Sequence, residues 1–187
     1  GVVQQQLDDL VSMAQGKRIG LITNPSGCDE TGAPDVDYIA AASGTTITAF
    51  FAPEHGLRGD LAPGLGGGDY IDPQTSIPVY AVYGVRNAPT ASQLATIDIL
   101  VFDLQDVGAR FYTFVWTLML ILRAAAKANI PVVVLDRPNP MGGELVDAQR
   151  VPLSVAMIDA IRARTVELQR TMRDGGIDPG GIRALRL

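Results

Sequence analysis

The chain has 187 residues (19.8 kDa), 47% of them hydrophobic and 19% charged, a globular composition that excludes a disordered chain and allows one domain with part of a second. Fifteen Lys and Arg against twenty Asp and Glu give a net charge of −5 and a pI near 4.7, which excludes the basic field that general binding to nucleic acid or anionic membranes requires. Cys28 and His55 are the single cysteine and the single histidine, so an internal disulfide, an all-thiolate zinc site and a multi-histidine metal site are excluded.

Gly1 to Gln6 lacks the basic-then-apolar pattern of a leader, as a mature exported chain also would. The longest apolar run, Phe111–Leu122, is interrupted by Thr113 and Thr117 and is too short to span a bilayer, so the sequence reads as that of a soluble protein.

Leu7, Leu10, Val11 and Ala14 recur at helical spacing and predict an amphipathic helix over 4–15, ended by Gly16. Arg18–Thr23 reads as a strand that stops at the turn cluster Asn24-Pro25-Ser26-Gly27. A helix is predicted over 35–42 and a second strand over 46–52, closed by Pro53. Residues 53–76 are rich in Gly, Pro and Asp without periodicity, and a loop that long inside a domain is commonly functional. A third strand is predicted over 78–83, a short helix over 91–95, and a fourth strand, apolar on both faces, over 98–104. The helix over 113–128 is hydrophobic nearly all round in its first half and reads as buried, with Trp116 and Met119 in the core. A fifth strand follows over 130–136. Continuous apolar strands alternating with helices predict an α/β fold, a mostly parallel sheet with helices on both faces. After Gly143 two further helices are predicted, over 153–164 and 166–173, then a basic end with Arg183 and Arg186 and no strand.

Open parallel sheets bind ligands beyond the carboxyl ends of their strands. Polar groups gather there: Thr23, Asn24 and Ser26 after the first strand, Glu54, His55 and Arg58 after the second, Tyr83 at the end of the third, Asp103, Gln105, Asp106 and Arg110 after the fourth, Asp136, Arg137 and Asn139 after the fifth. These residue types suit a polar small molecule such as a sugar. Each also has a structural reading. Asn24 can cap the turn before Pro25. Asp35 reads as a helix cap and Asp98 as a strand-entry residue. His55 can be an ordinary hydrogen-bonded loop residue, and Asp103 and Asp136 can pair with Arg110 and Arg137 in salt bridges.

The run Gly64–Gly68 fits neither the Walker pattern nor the dinucleotide fingerprint, and no Gly-x-Ser-x-Gly elbow is present. With thiol and imidazole so scarce, the remaining chemistry is that of carboxylates. Glycoside hydrolysis needs a carboxylic acid to protonate the leaving oxygen and a second carboxylate or its equivalent. Glu54, beside Pro53 at the end of an apolar strand, is placed to be partly desolvated, the condition under which a carboxyl serves as an acid near neutral pH.

Five motifs occur in order: Gly16–Gly27 (GKRIGLITNPSG), Phe51–Gly59 (FAPEHGLRG), Pro78–Tyr80 with Tyr83-Gly84, Phe102–Tyr112 (FDLQDVGARFY) and Leu135–Gly143 (LDRPNPMGG). Over roughly residues 10–143 this series resembles the bacterial exo-β-N-acetylmuramidases of glycoside hydrolase family 171, formerly a domain of unknown function. The resemblance implies a Rossmann-like N-terminal domain (1–145) and a smaller C-terminal domain, here present in part (146–187), with the active site in the cleft between them. It implies an exo-acting glycosidase that releases N-acetylmuramic acid from the non-reducing end of peptidoglycan fragments during cell-wall recycling, without a cofactor or metal. Glu54 is the catalytic candidate it indicates. His55 and Asp106 are further catalytic candidates, and Asn24, Arg58, Tyr83, Gln105, Arg110, Tyr112, Arg137 and Asn139 are candidate substrate-binding residues. An arginine among Arg58, Arg110 and Arg137 is expected to meet the lactyl carboxylate. The acetamido group can act as internal nucleophile; if a second carboxylate is used, Asp106 is the first choice.

The expected partners are muropeptides or amino sugars, with no nucleic acid and no membrane span. The expected compartment is the bacterial periplasm or exterior, although no residue excludes the cytoplasm. Family members are about twice as long, and the sequence after Gly143 reads as separated pieces of their second domain, with joins expected near 147–150 and 164–165. Two other readings compete: a non-catalytic module that binds muropeptides or amino sugars, and a structural α/β domain whose polar edge meets a partner.

Overall fold

The computed structural model describes residues 2–62, 67–84, 86–109, 112–137, 139–140 and 182–185. The helices predicted over 153–164 and 166–173, the joins near 147–150 and 164–165, and Arg110 lie outside these residues. Among the described residues no helix is long and apolar enough to cross a membrane.

The chain runs α1 (Val2–Met13), β1 (Arg18–Thr23), α2 (Asp35–Ala41), β2 (Thr46–Ala52), β3 (Tyr70–Ile71), β4 (Pro78–Ala81), α3 (Ala91–Leu94), β5 (Ile99–Asp103), α4 (Phe114–Ala128), β6 (Val132–Leu135) and β7 (Ile182–Leu185). The strands form one sheet in the order β3-β4-β2-β1-β5-β6-β7. Every pairing is parallel except the short β3–β4 ladder. The chain builds outward from β1 through β2 to β4, then crosses back to β5 and builds outward to β6. The order therefore reverses between β1 and β5, where such folds form a crevice at the carboxyl edge.

Both faces of the sheet are covered, because successive strand residues point to opposite sides and both sets are apolar. On one face Leu7, Leu10 and Ala14 near α1 and Val36 and Ile39 of α2 pack on Ile19, Leu21, Phe50, Val101 and Val133. On the other, Leu94 of α3 and Phe114, Ile121 and Ala125 of α4 pack on Ile22, Phe51, Leu100, Phe102 and Val132. Full burial of side chains such as Phe50 and Phe51 contributes roughly 1.5–3 kcal/mol each.

A bulge keeps this alternation in phase. Ile19 pairs with Ile47 but Gly20 pairs with Ala49, so Thr48 is the extra residue. Its hydroxyl leaves the sheet and donates to the Thr96 carbonyl at 3.0 Å. Without that insertion the rest of β2 would present each side chain to the wrong face. Gly20 faces the α3–α4 side. A Cβ there would sit 2.7 Å from Ile97 and 2.9 Å from Phe51, whose side chains occupy the space.

Helix α4 ends at Asn129, which takes the left-handed conformation at φ 56°, a role open to Asn as well as Gly. The five predicted strands and the four helices predicted over the described residues are present, β1 and β2 with the predicted bounds and the others with shifted ends.

Four expectations are corrected. The 53–76 segment contains β3, two residues too short to carry a period. A strand exists after Gly143: β7 pairs in parallel with β6 from Val132↔Ile182 to Leu135↔Leu185. Trp116 is 59% exposed and Val115 50%, because the buried stripe of α4 is Phe114, Thr117, Ile121 and Ala125 and Trp116 points away from it. Asp35 is not the cap of α2. Pro34 holds that position, and Asp35 is a buried member of an ion cluster.

Candidate active site

The crevice between β1 and β5 is stitched shut by side chains. Asn24 Oδ1 accepts from the Ser26 backbone N–H (2.8 Å) and hydroxyl (2.5 Å), so its turn-capping reading is realised. Ser26 Oγ accepts the Gln105 N–H at 3.0 Å, tying the loop after β1 to the loop after β5. Beneath it Thr23 donates to Asp103 at 3.2 Å. Gly27 runs so close above that a Cβ would collide with both Thr23 Oγ1 and Asp103 Oδ2.

Arg137, at the end of β6, locks the same region. Its Nη2 donates to Asp103 at 2.6 Å and to Asp35, and its Nη1 donates to the Cys28 carbonyl at 2.6 Å. Its side chain is only 7% exposed, and both carboxylates are fully buried. Burial and the neighbouring Asp103 charge push the Asp35 carboxyl up to about 6 against the pull of Arg137. Burial also raises Asp103. Burial opposes the charge of Arg137, but the two carboxylates outweigh it and hold the guanidinium protonated. Two carboxyls and one guanidinium thus share a dry site that favours retention of a proton. Arg137 serves the framework, as the salt-bridge reading anticipated, although its partners are Asp103 and Asp35.

Arg58 has a similar engagement. It grips Asp72 through Nε (3.4 Å) and Nη2 (3.1 Å). Asp72 is fully buried and also accepts from the Thr75 N–H and hydroxyl. This ion pair anchors the long segment after β2.

One strand over from the sealed crevice, β2 delivers Glu54. Pro53 ends the strand, and the two residues after Glu54, His55 (φ 73°) and Gly56 (φ 79°), are left-handed. The Gly56 N–H closes the turn on the Pro53 carbonyl at 3.1 Å. The left-handed region costs a β-carbon-bearing residue such as histidine energy, and such positions cluster at functional sites. The His55 ring contacts the Leu61 carbonyl through Nδ1 at 3.3 Å, within its own loop.

Glu54 is half-buried. Its Oε2 accepts a 3.0 Å hydrogen bond from Thr113 Oγ1, contributed from the start of α4. The charge of the Glu54 carboxylate first, then burial, raises the phenol of Tyr83, just beyond β4, above its ordinary range. Thr113 was absent from the sequence-derived candidates; a threonine opening a helix reads as a cap. It occupies that position, yet its side chain makes no cap bond, which forgoes about 0.5–2 kcal/mol of helix stabilisation.

The other candidates lie in the loops after β5 and β6. Tyr112 stacks edge-on against Phe114 with ring centres 5.3 Å apart. Gln105 donates to the Asp106 carbonyl at 2.7 Å. Asp106 accepts the Gly108 N–H on Oδ2 at 2.9 Å, while its Oδ1 is buried with no hydrogen-bond partner among the described residues. The Asn139 side chain lies against Gly108, so the loops after β5 and β6 touch. Asp106 also lines a cleft of about 190 Å³ with Leu104, Phe114, Val115, Leu118 and Arg137. That mostly apolar cleft flanks α4 on the side of Val115 and Leu118, and Glu54 is not among its lining residues.

Comparison with known proteins bears on what this edge is for. Residues 19–167 match the family model for the N-terminal part of exo-β-N-acetylmuramidase NamZ. A peptidoglycan β-N-acetylmuramidase, NamZ, of Bacillus subtilis (strain 168) is 47% identical over 141 residues, covering 75% of this chain and 34% of its own length. Two crystal structures of DUF1343 family proteins from Bacteroides fragilis NCTC 9343 share the fold. One has a TM-score of 0.69 at 39% identity, over 76% of this chain and 36% of that one. The other has a TM-score of 0.60 at 30% identity, over 74% and 35%. The chain spans about a third of the length of these relatives. It belongs to the family of NamZ exo-β-N-acetylmuramidase N-terminal regions.

Proposed function

We propose that this chain carries the acid-bearing part of an exo-acting glycosidase that releases N-acetylmuramic acid from the non-reducing end of peptidoglycan fragments, with Glu54 as general acid. The observation that carries the reading is the placement of Glu54: half-buried at the carboxyl edge of the sheet and held by the Thr113 hydroxyl from the start of α4. Membership of the muramidase family supports the substrate class.

In this reading Glu54 gives its proton to the glycosidic oxygen as the C1–O bond breaks, and the bonding electron pair stays with that oxygen. The positive charge developing at C1 is met by the acetamido oxygen of the same sugar, or by a water activated by a second carboxylate. Asp106 is the candidate for that second group. Arg58 is turned to Asp72, and Arg137 to Asp35 and Asp103. Arg110 is therefore assigned to the lactyl carboxylate that distinguishes N-acetylmuramic acid from N-acetylglucosamine. A peptidoglycan substrate assigns the activity to the periplasm or exterior.

The test is hydrolysis of a chromogenic β-N-acetylmuramide beside the matching β-N-acetylglucosaminide. Turnover of the muramide with at least about tenfold preference, the discrimination expected from reading one charged substituent, supports the proposal. Saturable binding without turnover replaces it with an amino-sugar-binding module, and equal turnover of both sugars removes the lactyl assignment.

A further inference from the structure

We propose that Thr113 is a positioning residue for Glu54, aiming its carboxyl at the leaving oxygen and stabilising the carboxylate left after proton transfer. This rests on the reading of Glu54 as general acid and adds how the acid is held.

Thr113 lies 59 residues from Glu54 in sequence, and its hydroxyl reaches Oε2 at 3.0 Å. The same threonine stands at the N-cap of α4 with its side chain withdrawn from the helix. A Thr at that position ordinarily turns its oxygen onto the N–H groups of the first turn. A local rule broken without local gain marks a site where another demand prevails, and here the visible demand is the carboxyl of Glu54. The backbone of Thr113 is fixed independently: its carbonyl accepts the Thr117 N–H at 2.9 Å and the Thr117 hydroxyl at 3.1 Å. Thr117 is itself buried in the α4 stripe, so the donor is mounted on the core.

Glu54 is followed directly by two consecutive left-handed residues, His55 and Gly56, which fix the direction of departure from the sheet but not the last torsions of a long side chain. The Thr113 hydroxyl supplies that constraint. A donor to a carboxylate favours the ionised form. As Glu54 surrenders its proton this bond strengthens, which lowers the barrier to the transfer without tightening the binding of the unreacted sugar.

The role has a signature that a packing role lacks. An acid matters only when the leaving oxygen needs a proton. An aglycone that is an alcohol or a sugar needs one, and a dinitrophenolate does not. The experiment measures Thr113→Val and Thr113→Ser on a β-N-acetylmuramide with a sugar aglycone and on its dinitrophenyl counterpart, with Glu54→Gln as reference. The expected result for Thr113→Val is a kcat about tenfold lower on the sugar aglycone, a part of the ~10²–10⁴-fold that acid catalysis supplies, with KM within about twofold and near-normal turnover of the dinitrophenyl substrate. Thr113→Ser restores wild-type behaviour. Equal losses on both substrates, a change confined to KM, or wild-type behaviour of Thr113→Val overturns the inference. Full activity of Glu54→Gln overturns instead the reading on which it rests.

Discussion

Replacing Arg137 with Met keeps much of the volume and removes the cation that Asp35 and Asp103 share. The change deletes the donors to both buried carboxylates and to the Cys28 carbonyl. Removing one partner of a buried ion pair costs about 3–5 kcal/mol, because the remaining charge is left uncompensated. Against a total stability of ~5–15 kcal/mol for a domain, that is about a fifth or more. The loss also has a pH signature. Burial already raises both carboxyls, with Asp35 at about 6 while Arg137 is present. Without Arg137 the largest influence holding them down is gone, and both rise further. A carboxyl raised above its unfolded value of about 3.9 contributes stability that is fully present below that value and lost as pH climbs through the folded one. The penalty for Arg137→Met is therefore smaller near about pH 5 than near about pH 8. Urea unfolding followed by far-ultraviolet circular dichroism at both pH values measures it. A loss below about 1 kcal/mol, or one independent of pH, would refute the assignment of Arg137 to the framework and return it to the candidates for the lactyl carboxylate.

Two further outcomes follow from the same packing. Asp35→Asn keeps the shape and removes one of the two like charges. The wild type should lose stability between about pH 4 and pH 6 as the raised Asp35 ionises, by an amount of order 1–2 kcal/mol after allowing for solvent screening. In the variant that slope should flatten, and an unchanged slope in urea midpoints would assign it to another group. Gly20→Ala puts a methyl group 2.7 Å from Ile97 and 2.9 Å from Phe51. Overpacking of this kind costs about 1–3 kcal/mol, and a thermal midpoint equal to that of the wild type would show that the core yields there.

The scaffold was legible because its signals are local. A run such as Ile99–Phe102 is apolar at every position, and a strand buried on both faces wants that pattern. The gathering of polar residues at strand ends was legible for the same reason, since it needs only the strand boundaries. What each residue does there was not legible. Asp103 and Glu54 both end or follow an apolar strand, yet one is locked under Arg137 and the other meets the Thr113 hydroxyl at the edge. The difference is made by Asp35, 102 residues from Arg137, and no local pattern reports that partnership. Arg58 finds Asp72 within a segment that has no period to read. Thr113 stood only as the first residue of the helix predicted over 113–128, and the signal that could have raised it was its place directly after Phe102–Tyr112, which carries Gln105 and Asp106. The strand β7 (Ile182–Leu185) is four residues with an arginine among them, too short for alternation to stand out. Trp116 shows the converse error. Hydrophobicity around a whole helical turn was read as burial, although one face of α4 remains exposed.

The most direct test of the account is the rate of Glu54→Gln on a β-N-acetylmuramide with a sugar aglycone. The substitution keeps the size and hydrogen-bonding capacity of the side chain and removes the transferable proton. The account predicts a fall in kcat of about 10²–10⁴-fold at an unchanged thermal midpoint. Retention of wild-type turnover would contradict it.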